Sequence, residues 1–347
     1  MNIGILTFHW GTNYGAILQA WCLQEFLKEQ GHDVDIINYK PSKYDFSWKN
    51  VIKHPGLWKE IHRILINRKK ETLLVPFREK YLKTTQRYQS VNELRNGLGK
   101  YDVLISGSDQ VLNPSFTCRG DNGKPSSAYW LGVGEKNTKR IGYAVSFGCV
   151  KYPDYAVNIA KKWINRFDVI GTRERTGLNI LEQLGYKGAS VVVPDPTILS
   201  GSQLFDKLGI KTQEGKGDYT CVYMLRHEIQ INGNIRYIDE KHNPITMEQW
   251  LKTISGAGRL LTNSYHGTLM AIFAHVPFSI LLETGSGSGK NDRFFTLLDR
   301  IGCADRVATT VNEAIEIFKK PIDFGKLDFA IAEYKKVGAD FLTNSIQ

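Results

Sequence analysis

The sequence predicts an α/β protein in two halves, each a mostly parallel sheet wrapped by helices. Three observations lead there. The 347 residues exceed what one hydrophobic core usually fills, so two domains of moderate size are expected. Short β-rich runs alternate with helical stretches along nearly the whole chain, the pattern of successive βαβ units. The strand-like runs end in small or polar residues, and in parallel sheets the carboxyl ends of strands are where loops and helix N-termini converge on ligands.

The elements follow in order. NIGILTF (2–8) reads as a strand, HWGTNYG as a glycine-bearing turn, and AILQAWCLQEFLKEQG as a helix that Gly31 closes. DVDIINY, DVLISGSD, KRIGYAVSFG, FDVIGTRE and SVVVPDP are further strand-like runs, with helical stretches at Tyr155 to Phe167 and Thr176 to Leu184. The turn-rich stretch 209–217, with KTQEGKG, marks a connection, so the halves are expected at 1–208 and 209–325. In the second half DYTCVYML, RLLTNS and FSILLE read as strands, with helices at Thr246 to Gly256, His266 to His275 and Asp292 to Ile301. The remainder, 326–347, is expected to carry a helix from Lys326 to Phe341 that packs back on the first half.

Bulk properties narrow the function classes. The opening residues lack the basic, apolar and small-residue succession of a secretory signal, and no apolar run reaches the roughly 18 to 20 residues of a membrane span. A cytoplasmic location is therefore expected. Cys22, Cys118, Cys149, Cys221 and Cys303 are scattered, with no CxxC pair or metal-ligand spacing, and read as reduced thiols. The formal charge of +10 suggests anionic company. No basic tract with interleaved aromatics and no known reading module is present, so nucleic acid is not an expected partner. The densest basic run, 58–83, places Arg63, Arg68, Lys69, Lys70, Arg78, Lys80 and Lys83 among apolar residues. It reads as a solvated helix covering one edge of its domain; the alternative is peripheral contact with an anionic membrane at the inner face of the cell membrane.

Four motifs stand in order: NYGAILQA (13–20) after the first strand, GSDQVLNP (107–114) and TRE (172–174) at strand ends, and TNSYHGT (262–268) opening a helix in the second half. With PDP (194–196) between the halves and Arg293 in NDRFFTLL, the chain resembles the polysaccharide pyruvyl transferase family over most of its length. Order and spacing carry the likeness, since no single motif is specific. The resemblance implies two Rossmann-like domains facing a cleft, similar to the glycosyltransferase-B architecture. It also implies phosphoenolpyruvate as donor and a sugar hydroxyl pair as acceptor, joined as a pyruvate ketal in a surface polysaccharide or its precursor. A lipid-linked acceptor would give segment 58–83 a membrane to rest on.

That chemistry needs cationic forks and free backbone N–H groups for phosphate and carboxylate, and an acid and a base near neutral pH. Arg173, at a strand end, is the first candidate for the anion fork, with an ion pair to Glu174 as the plain alternative. His266 opens an apolar helix whose positive end faces the cleft, and the resemblance points to it as acid/base. The family often carries Arg two residues before this His, where this chain has Ser264. The positive charge is then expected from Arg226, Lys290 or Arg293, with Ser264 and Gly267 also on the donor side. Asp109 is a candidate base, or a helix cap. Gln110, Asn13, Tyr14 and Gly15 are candidates for the acceptor, the last three at a turn into a helix N-terminus. Asp195, between two prolines, reads as a structural corner outside the active set.

GSGSGK (285–290) fails as a nucleotide-triphosphate loop and reads as a lid carrying Lys290 and Arg293. No metal or other cofactor is expected, because phosphate departure can be assisted by Arg and backbone N–H groups. The other histidines form no i, i+4 pair of the zinc kind. Two rival readings share the fold: a sugar-nucleotide-dependent glycosyltransferase, for which Glu283 is the nearby carboxylate, and a non-catalytic glycan-assembly protein.

Overall fold

The computed structural model describes residues 1–45, 57–212, 216–225, 228–285, 289 and 291–347, with the side chains of 57–60 excepted. In the first half the order is β1 (Asn2–Leu6), α1 (Tyr14–Glu29), β2 (Asp33–Ile36), α2 (Leu57–Tyr81), α3 (Val91–Gly97), β3 (Val103–Ser106), α4 (Pro114–Thr117), β4 (Lys139–Val145), α5 (Asp154–Trp163), β5 (Val169–Thr172), α6 (Arg175–Leu184) and β6 (Ala189–Val192). The short helices α7 (Pro196–Ser200) and α8 (Gln203–Lys207) lead to the second half. There follow β7 (Thr220–Tyr223), β8 (Ile235–Tyr237), α9 (Met247–Ser255), β9 (Arg259–Thr262), α10 (Tyr265–Phe273), β10 (Phe278–Leu281), α11 (Asp292–Ile301), β11 (Val307–Ala308) and α12 (Val311–Ile317). The last helix is α13 (Phe324–Ile346).

The strands form two parallel sheets, ordered β2-β1-β3-β4-β5-β6 and β11-β10-β9-β7-β8. Chain direction across each sheet reverses once, between β1 and β3 in the first and between β7 and β9 in the second. Such switch points leave a crevice at the carboxyl ends of the flanking strands. The loops after β1, β3 and β9 all reach one cavity of about 460 Å³ between the halves.

Local sequence explains the helices beside this crevice. Asn13 caps α1 through its side chain, which accepts from the Ala16 N–H, and Ser264 caps α10 by accepting from the Gly267 N–H. Helix α11 buries Phe294, Leu297, Leu298 and Ile301, the i, i+3, i+4, i+7 stripe of a core-facing helix. Each such side chain contributes roughly 1.5–3 kcal/mol of burial.

The halves are tied on several sides. Tyr14 stacks on Trp250 at 5.3 Å and donates to the Ile245 carbonyl at 2.6 Å. The Thr176 N–H donates to Asp292 at 2.9 Å, and Arg175 pairs with Asp299 at 2.8 Å. Helix α2, which carries the basic run, crosses to the second half. There Lys70 pairs with Glu240, and Lys69 donates to Asn243. Lys70 is buried, so this part of the run is an interdomain strap rather than a solvated face.

Helix α13 begins at an Asp323 cap and runs past the expected Phe341. Its Phe341 lies 6.0 Å from Tyr143 of β4, while its Asp328 meets His275 of the second half at 3.0 Å. Strands β8 and β11 and helix α12 were not anticipated, being too short to show a period. The lid reading falls largely on 286–288 and 290, and with it Lys290 and Arg226 lie outside the described residues.

Candidate active site

The cavity is lined from both halves. Asn13, Asp109 and Gln110 come from the first, and Ser264, His266 and Arg293 from the second. Six of the expected site residues thus meet in one place. The N-termini of α1 and α10 both open toward it, so partial positive charge converges there.

His266 is seated from two directions. Its ring lies against Gly15, where an added Cβ would fall 2.1 Å from Nδ1, so this position in the first turn of α1 has room for glycine only. Its Nε2 stands 3.3 Å from Asp195 Oδ2, a close contact without the alignment of a hydrogen bond.

Asp195 divides its carboxylate. Oδ1 accepts from the Thr197 N–H and hydroxyl, capping α7. Oδ2 meets Arg173 at 3.2 Å and Ser108 at 3.3 Å as well as His266. Burial alone would raise this carboxyl, yet the imidazole and guanidinium hold it well below the usual carboxylate range. The corner between prolines is therefore real, and its second oxygen faces the site.

Arg173 does not line the cavity. Its side chain is fully buried among Asp195, Asp109 at 3.4 Å and Glu174 at 3.6 Å. Burial opposes its charge, and the three carboxylates outweigh burial and hold it protonated. The expected anion fork is instead the hub of a buried ion network. Glu174 is pushed up by burial, an effect that Arg173 moderates.

Among the described residues, Arg293 is the guanidinium that lines the cavity. Burial and the nearby Arg173 lower it to about 10, and its Nε makes no hydrogen bond. It lies over Tyr265 and Phe294, at 5.8 and 5.2 Å from their ring centres.

Asp109 holds a left-handed backbone, φ 74°, uncommon outside glycine and costly unless its surroundings enforce it. Its carbonyl accepts from the N–H groups of Val111 and Ser146, which fixes the conformation and turns the carboxylate to the cavity. Tyr14 points into the interdomain core, and Gly267 spends its N–H on Ser264. Neither lines the cavity. Sequence reasoning missed Phe8, Trp10, Tyr44 and Phe116, which form an aromatic side of the cavity. Glu283 also lines it, held by Asn263 Nδ2 at 2.7 Å. Among the described residues no three His, Cys, Asp or Glu side chains gather in a metal-binding set.

Fold and site together define an α/β protein of two parallel sheets with a cavity between two facing switch points. The chain belongs to the polysaccharide pyruvyl transferase family, whose model matches residues 13–282. The family is one of transferases and implies polysaccharide pyruvyl transfer, with a sugar or polysaccharide as acceptor. No curated protein sequence matches the chain.

Among solved structures, UDP-N-acetylglucosamine 2-epimerase from Rickettsia bellii is similar at 11% identity and TM-score 0.49, covering 99% of this chain and 95% of that one. UDP-GlcNAc 2-epimerase from Neisseria meningitidis bound to UDP-GlcNAc gives 11% and 0.46, covering 97% and 94%. The glycosyltransferase SnogD from Streptomyces nogalater gives 11% and 0.41, covering 99% of each chain. At these scores the likeness bears on neither substrate nor mechanism. Among the described residues no helix is long and apolar enough to cross a membrane.

Proposed function

We propose that this chain transfers a pyruvyl group from phosphoenolpyruvate to two hydroxyls of a sugar, forming a ketal and releasing phosphate. The observation that carries the reading is His266, held against Asp195 at a cavity wall where two helix N-termini and Arg293 converge. Arg293 and the N-termini suit the donor's phosphate and carboxylate.

In this reading His266 delivers a proton to the methylene carbon, which becomes the methyl group, and positive charge develops at the neighbouring carbon. One sugar hydroxyl bonds to that carbon while Asp109 takes its proton. The bond to phosphate breaks, the second hydroxyl bonds in its place, and its proton leaves with phosphate or returns to His266. Asp195 orients the ring and offers a negative partner when the ring is charged, the role of a buried carboxylate behind a catalytic His. No step calls for a metal. Because phosphoenolpyruvate is a cytoplasmic metabolite, the reaction belongs on that side of the membrane.

The test is phosphate release from phosphoenolpyruvate that depends on an added glycan, with an acid-labile ketal recovered on the sugar. Release with neither glycan dependence nor a ketal would count against the reading.

A further inference from the structure

We infer that the acceptor sugar stacks its ring face on the aromatic side of the cavity, with Trp10 and Tyr44 as the presenting rings. The word acceptor rests on the pyruvyl-transfer reading; sugar binding at this wall does not.

Phe8, Trp10, Tyr44 and Phe116 line the same cavity as His266, Asp109 and Arg293. The rings form one connected group: Phe8 lies 4.5 Å from Phe116 and 6.1 Å from Trp10, and Trp10 lies 4.8 Å from Tyr44. Phe8 is nearly buried, while Trp10 and Tyr44 remain part-exposed.

The wall is held in place from behind. Arg78 of α2 donates to the carbonyls of Trp10 at 3.4 Å and Gly11 at 3.1 Å. His9, buried beside them, contacts Asn38 Oδ1 through Nε2 at 3.1 Å and the Thr7 carbonyl through Nδ1 at 3.2 Å. Burial pushes this imidazole down to about 4, and its two ring contacts make it a fixed strut.

Phosphoenolpyruvate is almost all charge and gains little from four aromatic rings. A pyranose has the matching shape: an apolar face of C–H groups, with hydroxyls at its rim. Aromatic rings offer that face area at small conformational cost. Thr12, Asn13 and Gln110 line the same cavity and offer polar groups to such hydroxyls. The ligand class is a neutral hexopyranoside with an uncrowded ring face and a pair of free hydroxyls at its rim.

Saturation-transfer NMR with methyl β-galactopyranoside and methyl β-glucopyranoside tests this on the full chain. At least one probe should receive saturation chiefly on the ring protons of one face. Trp10→Ala should weaken its binding about tenfold while Trp10→Phe keeps most of it. Tyr44→Ala, on an outer turn, decides the same way if Trp10→Ala fails to fold. The phosphoenolpyruvate-induced rise in melting temperature should be unchanged in every folded variant. No binding of either probe by the wild type would overturn the inference, and so would wild-type affinity in folded Trp10→Ala and Tyr44→Ala. Sugar binding lost with the wall, in a protein that ignores phosphoenolpyruvate, would sink the pyruvyl reading and leave the wall standing.

Discussion

At the scale of residues, the site turns on one imidazole seated between a glycine and a carboxylate. Replacing His266 with Ala should lower turnover about 10²- to 10⁴-fold, the usual worth of an acid–base group. The circular dichroism spectrum should stay near wild type, while the melting temperature should fall by a few degrees, because the buried ring packs on Gly15 and helps hold the Asp195 carboxylate. Asp195→Asn should cost about 3 kcal/mol of stability at neutral pH, since it leaves buried Arg173 short of one charge. The pH dependence has a definite sign. The folded Asp195 carboxyl sits below its ordinary value of 3.8, so its stabilising contribution is present above that value and is lost as pH falls beneath it. Melting curves between pH 5 and 3 should therefore drop more steeply for the wild type than for Asp195→Asn; equal slopes would refute this account. Asn13, Asp109, Gln110, Ser264 and His266 were legible because each stands where a strand gives way to a loop or helix, and Arg293 through the NDRFFTLL motif. Asp195 was half legible: its proline neighbours announce a corner, but the contact of its second oxygen with His266 is made only by the meeting of the two halves.

At the scale of elements, α2 shows how a charge run misleads. Its sequence is amphipathic and basic, which suits a solvated helix or a membrane face equally well. What distinguishes the strap is the pairing of Lys70 with Glu240, which accepts from the Tyr223 hydroxyl and so is anchored to the second sheet. Such partners far along the chain leave no trace in local periodicity. Lys70→Ala should lower the melting temperature by several degrees by leaving Glu240 uncompensated, and Glu240→Gln added to it should recover part of the loss. A double variant no better than the single would argue that the pair does not carry the strap. The strands and helices that flank the cavity were legible from alternating β-rich and helical runs. Strand β11, with two residues, and β8, with three, hold their places by pairing within the sheet rather than by pattern.

At the scale of the whole molecule, the cavity belongs to neither half, so ligand binding should hold the halves together. Phosphoenolpyruvate at about 100 times its dissociation constant should stabilise the protein by roughly 2.7 kcal/mol, a rise of a few degrees in melting temperature. A shift with UDP-, GDP- or CMP-sugars and none with phosphoenolpyruvate would move the assignment to a sugar-nucleotide-dependent glycosyltransferase. Transfer activity should survive EDTA; its abolition would require a metal that the proposed chemistry does not use. The two-sheet plan was legible in the sequence, because chain length and strand–helix alternation are properties of the whole.

Helix α13 has one further implication, for the order in which the protein is made. Its Gly338 packs so closely on the first half that an added Cβ would fall 2.6 Å from Pro194 and from the Tyr143 hydroxyl. A ribosome must translate every strand of the second sheet before it delivers this helix. The nascent first half therefore waits with an uncovered flank throughout that interval, and chains stalled before residue 324 should be the ones that chaperones retain and proteases find.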